Sequence, residues 1–334
     1  MDPLSQGVLG AAAAHASSNK HGAMACFLGL VGGMAADLDV LIRSKSDPIL
    51  FLEYHRQFTH SLIFIPVGGF VCAVIVYFLF ASRRLSFGRT YAYCTVGYST
   101  HGLLDACTSY GTQLLWPFSD ARIAWHSISI IDPMFTLPIL ALVIVATSRP
   151  SPLWGRLALG WAIAYISFGG LQRHRAELVA HELAVSRGHL PAVTEAKPSF
   201  GNLVLWKTIY EHDGQYFIDA VRMGLDTSIS TGESVAKLDL EADFPWLDGG
   251  SQQALDVERF RWFSAGHLSK SRDDDNMIVD MRYSMLPNQG DGLWGIVLSP
   301  DAKADEHVGY QMQRDMSAAT RRKFFGMLFD RPIN

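Results

Sequence analysis

Long apolar runs fill residues 22–172, whereas residues 173–334 carry charges throughout. This break predicts a membrane domain over 1–175 and a soluble domain over 176–334. Residues 4–16 read as a short Ala-rich helix, below the roughly 20 residues a span needs. Residues 23–42 form the next helix, and its Gly and Ala content lets neighbouring backbones approach closely in lipid. Clear spans follow at Leu62–Ala81, Tyr91–Thr108, Asp132 to about Thr147, and about Leu157 to Leu171. The whole reads as about four full spans beside a short N-terminal helix. Polar connections lie at 43–60, 82–89, 109–130 and 148–156.

In the charged half, strands are expected at Phe200–Tyr210, Gln215–Arg222, Met277–Leu286 and Leu293–Ser299. They mix β-branched and aromatic residues and are separated by turn signals such as His212-Asp213-Gly214. Helices are expected at 176–188, 255–264 and 311–329, giving a small soluble α+β domain.

Basic residues orient the spans. Arg83, Arg84 and Arg89, then Arg149 and Arg156, place loops 82–89 and 148–156 in the cytoplasm. Loops 43–60 and 109–130 and the C-terminal domain are then extracytoplasmic, although Arg43, Lys45 and Arg56 run against this. Whatever the orientation, span counting puts Asp37, Asp39, His55, His60, Asp105, His126, Asp132 and His174 at one membrane face.

His101 and Asp105 anchor that group. Four residues apart on a helix, they share a face, and a bilayer tolerates them poorly unless they are paired, liganded or hydrated. Together with His55 and His60 they form an N/O donor set suited to Zn²⁺, Mn²⁺ or non-haem iron. Asp37 and Asp39 lie about 200° apart on a regular helix, so either the helix frays there or one acid ligates and the other supports. One of them completes the metal shell or acts as base in hydrolysis by a metal-activated water. Asp132 is expected to orient a histidine, and His126 and His174 to stand near the substrate. Two other readings use the same residues: an ion or small-solute transporter with intramembrane Asp and His, and a non-catalytic scaffold with a structural metal.

Composition adds exclusions. The net charge of −4 gives no pull toward nucleic acid. Cys26, Cys72, Cys94 and Cys107 lie in apolar segments without a metal-binding spacing, and read as small buried hydrophobes. Asp2 stands where a signal peptide carries basic residues, which argues against cleavage there. The Asp273-Asp274-Asp275 run reads as a solvated loop.

Several motifs resemble one family. Met1-Asp2-Pro3-Leu4-Ser5-Gln6-Gly7, Ala36-Asp37-Leu38-Asp39, His55-Arg56-Gln57-Phe58-Thr59-His60-Ser61, His101-Gly102-Leu103-Leu104-Asp105 and Leu115-Trp116-Pro117-Phe118 are similar to the YdjM-like inner-membrane proteins. That family is described as membrane-bound metal-dependent hydrolases. It is similar at superfamily level to zinc-dependent phospholipases C and single-strand nucleases. The resemblance implies a phospholipase C-like helical core, with Asp37 or Asp39, His55 or His60, His101 and Asp105 around a divalent ion. Zinc is the first choice and manganese the second, with one ion and room for another. It also implies an ester or phosphoester substrate, lipid-linked ones included, and a multi-pass protein of the bacterial inner membrane. The family often has Pro at position 36 and Thr-His at positions 5–6. Ser5-Gln6 here removes one histidine from a multi-zinc cluster.

Overall fold

The structure is a computed structural model that describes residues 1–18, 20–149 and 151–330. Helix α1 (Pro3–Ala16) begins where the Asp2 carboxylate accepts the Ser5 N–H at 3.0 Å. This caps an N–H that the helix leaves unpaired. Helix α2 (Gly22–Ala35) tightens into a 3₁₀ turn at Ala36–Leu41. A short α3 (Leu50–Tyr54) stands within the expected 43–60 loop. Then come α4 (Ile65–Val76), which ends in a π-helical turn at Tyr77–Ala81, and α5 (Phe87–Ala106). Helices α6 (Pro133–Ser148) and α7 (Leu153–Ser186) complete the helical series.

Close backbone contact explains the small residues of α1, α2 and α5. A Cβ on Gly29 would lie 2.3 Å from the Gly10 carbonyl oxygen, and one on Gly97 would lie 2.2 Å from that of Gly29. Only glycine permits this approach. Because the three backbones touch, side chains from α2 and α5 reach one point.

Among the described residues, two helices are long and apolar enough to cross a bilayer: Gly22–Leu41, counting the 3₁₀ turn, and Leu62–Ala81. Helix α5 has 20 residues, but its hydroxyls, His101 and Asp105 dilute the apolar run. Helix α6 is apolar but has 16 residues.

Strands β1 (Thr194–Pro198), β2 (Leu205–His212), β3 (Gln215–Met223) and β4 (Thr227–Ala236) form an antiparallel sheet in chain order. After α8 (Leu240–Asp243) and α9 (Gln252–Phe263) comes a second one. It contains β5 (Leu268–Lys270), β6 (Met277–Asp280), β7 (Trp294–Val297) and β8 (Gly309–Met312), again in order. Helix α10 (Ala318–Phe329) follows. Ile209, Tyr216 and Ile218 from the first sheet meet Met277, Val279 and Met281 in one core. The expected turn at Asp213-Gly214 has both residues at positive φ, 48° and 71°, as a two-residue hairpin requires.

Differences from the sequence reading have local causes. Strand β2 starts at Leu205 rather than Phe200, because Gly201 (φ 75°) turns the chain. Strand β6 stops at Asp280, whose carboxylate takes the Arg282 N–H at 3.0 Å.

The chain divides into two compact units. One comprises Met1–Leu41, Tyr54–Leu171 and Phe200–Asn202; the other comprises Ile42–Glu53, Gln172–Ser199 and Leu203–Asn334.

Candidate metal centre

The 3₁₀ turn after α2 sends two acids two residues apart toward different partners. Asp37 joins His60, His101 and Asp105, with one donor atom from each lying within 4.8 Å of the others. Asp39 turns instead to the loop before α4. Its Oδ1 meets His55 Nδ1 at 2.8 Å, and its Oδ2 accepts from Arg56 N–H at 2.9 Å and Thr59 Oγ1 at 2.8 Å.

Each imidazole of the four-residue group is held by its Nδ1. His101 Nδ1 donates to the Gly33 carbonyl at 2.5 Å. A carbonyl only accepts, so the proton is on Nδ1 and a neutral His101 turns the Nε2 lone pair inward. His60 Nδ1 lies 2.9 Å from Thr59 Oγ1 and 3.2 Å from Asp39 Oδ2, and its Nε2 also points inward. The two Nε2 atoms are 2.9 Å apart. Around them stand Asp37 Oδ1, at 3.5 Å from His60 and 3.3 Å from His101, and Asp105 Oδ2, at 3.1 and 3.5 Å.

The two oxygens of Asp105 differ sharply. Oδ1 is saturated by the Met1 amine, by Gln6 Nε2 at 3.0 Å and by Arg56 Nη2 at 3.2 Å. Oδ2 is buried and has only the two imidazole Nε2 atoms before it, so its one source of a hydrogen bond is a proton on a ligating nitrogen. A fully buried carboxylate oxygen needs a proton or a metal ion beside it, and here it faces two imidazole nitrogens. With both imidazoles neutral, the inward lone pairs repel one another unless a cation sits among them; without a metal, a proton on His60 Nε2, 3.1 Å from Asp105 Oδ2, takes that place. The donor set, two imidazoles and two carboxylates, suits a divalent metal.

His60, His101 and Asp105 are essentially fully buried, whereas the Asp37 side chain keeps 20% of its exposure. The centre therefore opens toward solvent on the Asp37 side. The loop histidines show its electrostatics. Burial opposes charge on His60, but the Asp105, Asp37 and Asp39 carboxylates outweigh it and raise the imidazole to about 10. At His55 burial prevails over the Asp39 contact and lowers the pKa.

The other expected residues fall elsewhere. His55 joins a second group, with Asp37 and Asp39, in which donor atoms also lie within 4.8 Å. Asp37 belongs to both groups. Asp132, expected to orient a histidine, instead caps α6 by accepting from Met134 N–H at 3.1 Å, and accepts from Tyr165 Oη at 2.9 Å. The correction follows from its place one residue before a helix-opening proline, where a carboxylate is used as a cap. His126 sits outside both groups, at a positive φ of 47°. His174 stands on α7, in the second compact unit.

Reading from sequence missed Arg56, Gln6, Thr59 and Gly33. Arg56 is 3% exposed, adopts φ 66° and donates from Nη1 to Thr108 Oγ1 at 2.9 Å. Its guanidinium lies 4.7 Å from the Tyr110 ring centre. An arginine between two histidines in a loop that opens a span was the available signal.

An apolar helical region with a buried histidine–carboxylate cluster able to hold a metal ion, followed by antiparallel sheets, defines the class of protein. Residues 1–176 match the YdjM inner membrane protein family, and the chain belongs to that family. It is 35% identical over 98 residues to the inner membrane protein YbcI of Escherichia coli (strain K12), covering 29% of this chain and 55% of that protein. It is 26% identical over 123 residues to the uncharacterized protein YfhP of Bacillus subtilis (strain 168), covering 37% of each chain. The chain thus matches about a third to a half of the length of these relatives. No solved structure matches.

Proposed function

We propose that this chain is a multi-pass inner-membrane hydrolase that uses a divalent metal, zinc first, on an ester or phosphoester, lipid-linked ones included. In this reading α4, α5, α6 and α7 act with α2 as the membrane bundle, built on a phospholipase C-like helical core. The 1–175 segment is the membrane domain, and the 176–334 segment is a small α+β domain on the extracytoplasmic side. The observation that supports the reading is the convergence of one donor atom each from Asp37, His60, His101 and Asp105 within 4.8 Å, three of the residues buried and Asp37 at the open edge.

Asp37, His60, His101 and Asp105 would hold the ion. When bound, a divalent metal supplies Lewis acidity for hydrolysis. The residues of the chain do the rest. Gly33 and Asp39 fix the imidazole tautomers. Gln6 and Arg56 occupy one Asp105 oxygen, so only the other is free to ligate. Asp37, at the open edge, is placed to meet substrate as well as metal. Asp39 holds His55 and His60 and so supports the site as a positioning residue.

Two measurements test this. Full-length protein purified in detergent without chelators is expected to carry about one zinc or manganese per chain by mass spectrometry. It is also expected to hydrolyse p-nitrophenyl phosphoesters or phospholipids in a chelator-sensitive way. Folded protein that stays metal-free after zinc incubation sinks the proposal. A second expectation concerns Arg56. Arg56→Met should weaken metal binding about 10–100-fold, the usual effect of losing an outer support, with Arg56→Lys recovering part. Chelator competition reads both; unchanged affinity in Arg56→Met removes the arginine from the site.

A further inference from the structure

Helix α10 has two unlike faces. Phe324, Met327 and Leu328 pack on Leu205, Ala220 and Leu286. Arg222 Nε donates to the Leu328 carbonyl at 2.9 Å, which ties the helix to β3. On the other face Phe325 and Phe329 are 51% and 56% exposed. Their rings stack with centroids 6.0 Å apart and planes 9° from parallel. At about 100° per residue, Arg321 and Arg322 flank this pair, with Ala318 on the same side. Lys323 adds a third exposed cation, and the helix contains no acid.

Packing demands leave the outward phenyls unexplained, since Phe324 and Met327 already fill the contact with the sheet. Aromatic rings flanked by cations on a short helix are what an interfacial segment presents to a bilayer. The rings enter the headgroup boundary, and the cations meet lipid phosphates. We propose that the Arg321–Arg322–Phe325–Phe329 face of α10 docks on an anionic lipid surface. Charge complementarity selects this occupant. A second copy would bring two sets of cations together, which opposes pairing. A membrane is also at hand for a member of an inner-membrane family. This inference stands apart from the metal centre.

The test uses the full chain in nanodiscs of phosphatidylglycerol or phosphatidylcholine, with an environment-sensitive fluorophore on Ala318→Cys. The four native cysteines are buried, so the introduced exposed thiol is labelled in preference to them, and wild-type protein carried through the same labelling is the control. In phosphatidylglycerol the emission should shift to the blue, and spin-labelled lipid should quench it at least twofold more than in phosphatidylcholine. Arg321→Gln, Arg322→Gln and Lys323→Gln together should abolish the difference, while circular dichroism confirms folding. Equal water exposure in both lipids overturns the proposal. So does quenching that survives the triple substitution, or a blue shift that grows with the number of copies per disc.

Discussion

His101→Ala is expected to strip metal from the purified protein, lowering affinity on the order of 10²–10³-fold. The magnitude follows from sharing. Protein zinc sites bind with about 10–16 kcal/mol, so one of four ligands carries roughly 2.5–4 kcal/mol, and each ~1.4 kcal/mol is a factor of ten. The variant also leaves the Gly33 carbonyl without its donor and opens a cavity, so some loss of stability accompanies it. Asp37→Asn separates the two effects. Its side chain is at the solvent edge, and its loss leaves no buried cation unpaired. It should therefore lose metal to a similar degree while melting near wild type. Asp105→Asn is the poorer choice, because Arg56 and the Met1 amine both pair with that carboxylate. Stranding buried cations costs about 3–5 kcal/mol. Metal content by mass spectrometry beside a thermal melt reads all three. A folded Asp37→Asn protein with full metal occupancy would remove Asp37 from the ligand set.

The four-residue group could be approached from sequence because its members are expensive where they stand. A histidine and an acid one helical turn apart inside an apolar stretch demand partners, and His60 and Asp37 were already in the same band. The supporting residues were harder to see. Gly33 contributes only a carbonyl, and nothing in the identity of a glycine announces that its backbone will face an imidazole. Gln6 reaches Asp105 across 99 positions of chain, through the packing of α1 on α5, which neither residue's identity specifies. Asp132 misled for a simple reason. Acid before proline signals a cap as strongly as it signals a site, and here the cap prevails. In the sheets, strands with β-branched and aromatic runs were legible. Strand β4, Thr227–Ala236, was not, since its Ser, Thr and Glu residues read as loop and only pairing with β3 makes it a strand. Span counting met a related limit. Helix α5 spends its hydropathy on the groups that build the site, so the stretch richest in candidate chemistry is the one least like a membrane helix.

The stability of the second unit is expected to rise with pH between about 7 and 9.5. Lys207 on β2 stands directly opposite Lys197 on β1, and both are buried, 4% and 2% exposed. Lys207 Nζ donates to Ser284 Oγ at 2.7 Å and to the Gln289 carbonyl at 2.8 Å, both neutral acceptors. Burial, reinforced by the neighbouring Lys197 charge, lowers Lys207 from 10.5 to about 7. Lys197 is lowered too, chiefly by burial. The unfolded chain keeps the Lys207 proton up to its ordinary pKa, whereas the folded chain releases it near 7. Across that window the unfolded state binds more protons, so unfolding becomes harder as pH rises. A shift from 10.5 to about 7, at 1.36 kcal/mol per unit, is worth about 5 kcal/mol if traversed in full. Tyr216, which burial raises beyond its ordinary value, acts in the opposite sense only as unfolded tyrosines ionise near 10, hence the upper limit. Lys207→Met should flatten the profile, because it removes the titrating group while keeping the stem. Its stability at pH 7 need not fall, since replacing a buried charge by a similar apolar volume is often neutral or better. Urea unfolding of the full chain in detergent, followed by tryptophan emission at pH 7, 8 and 9.5, gives the comparison. A flat wild-type profile, or a rise that persists in Lys207→Met, would place the titrating group elsewhere in the unit.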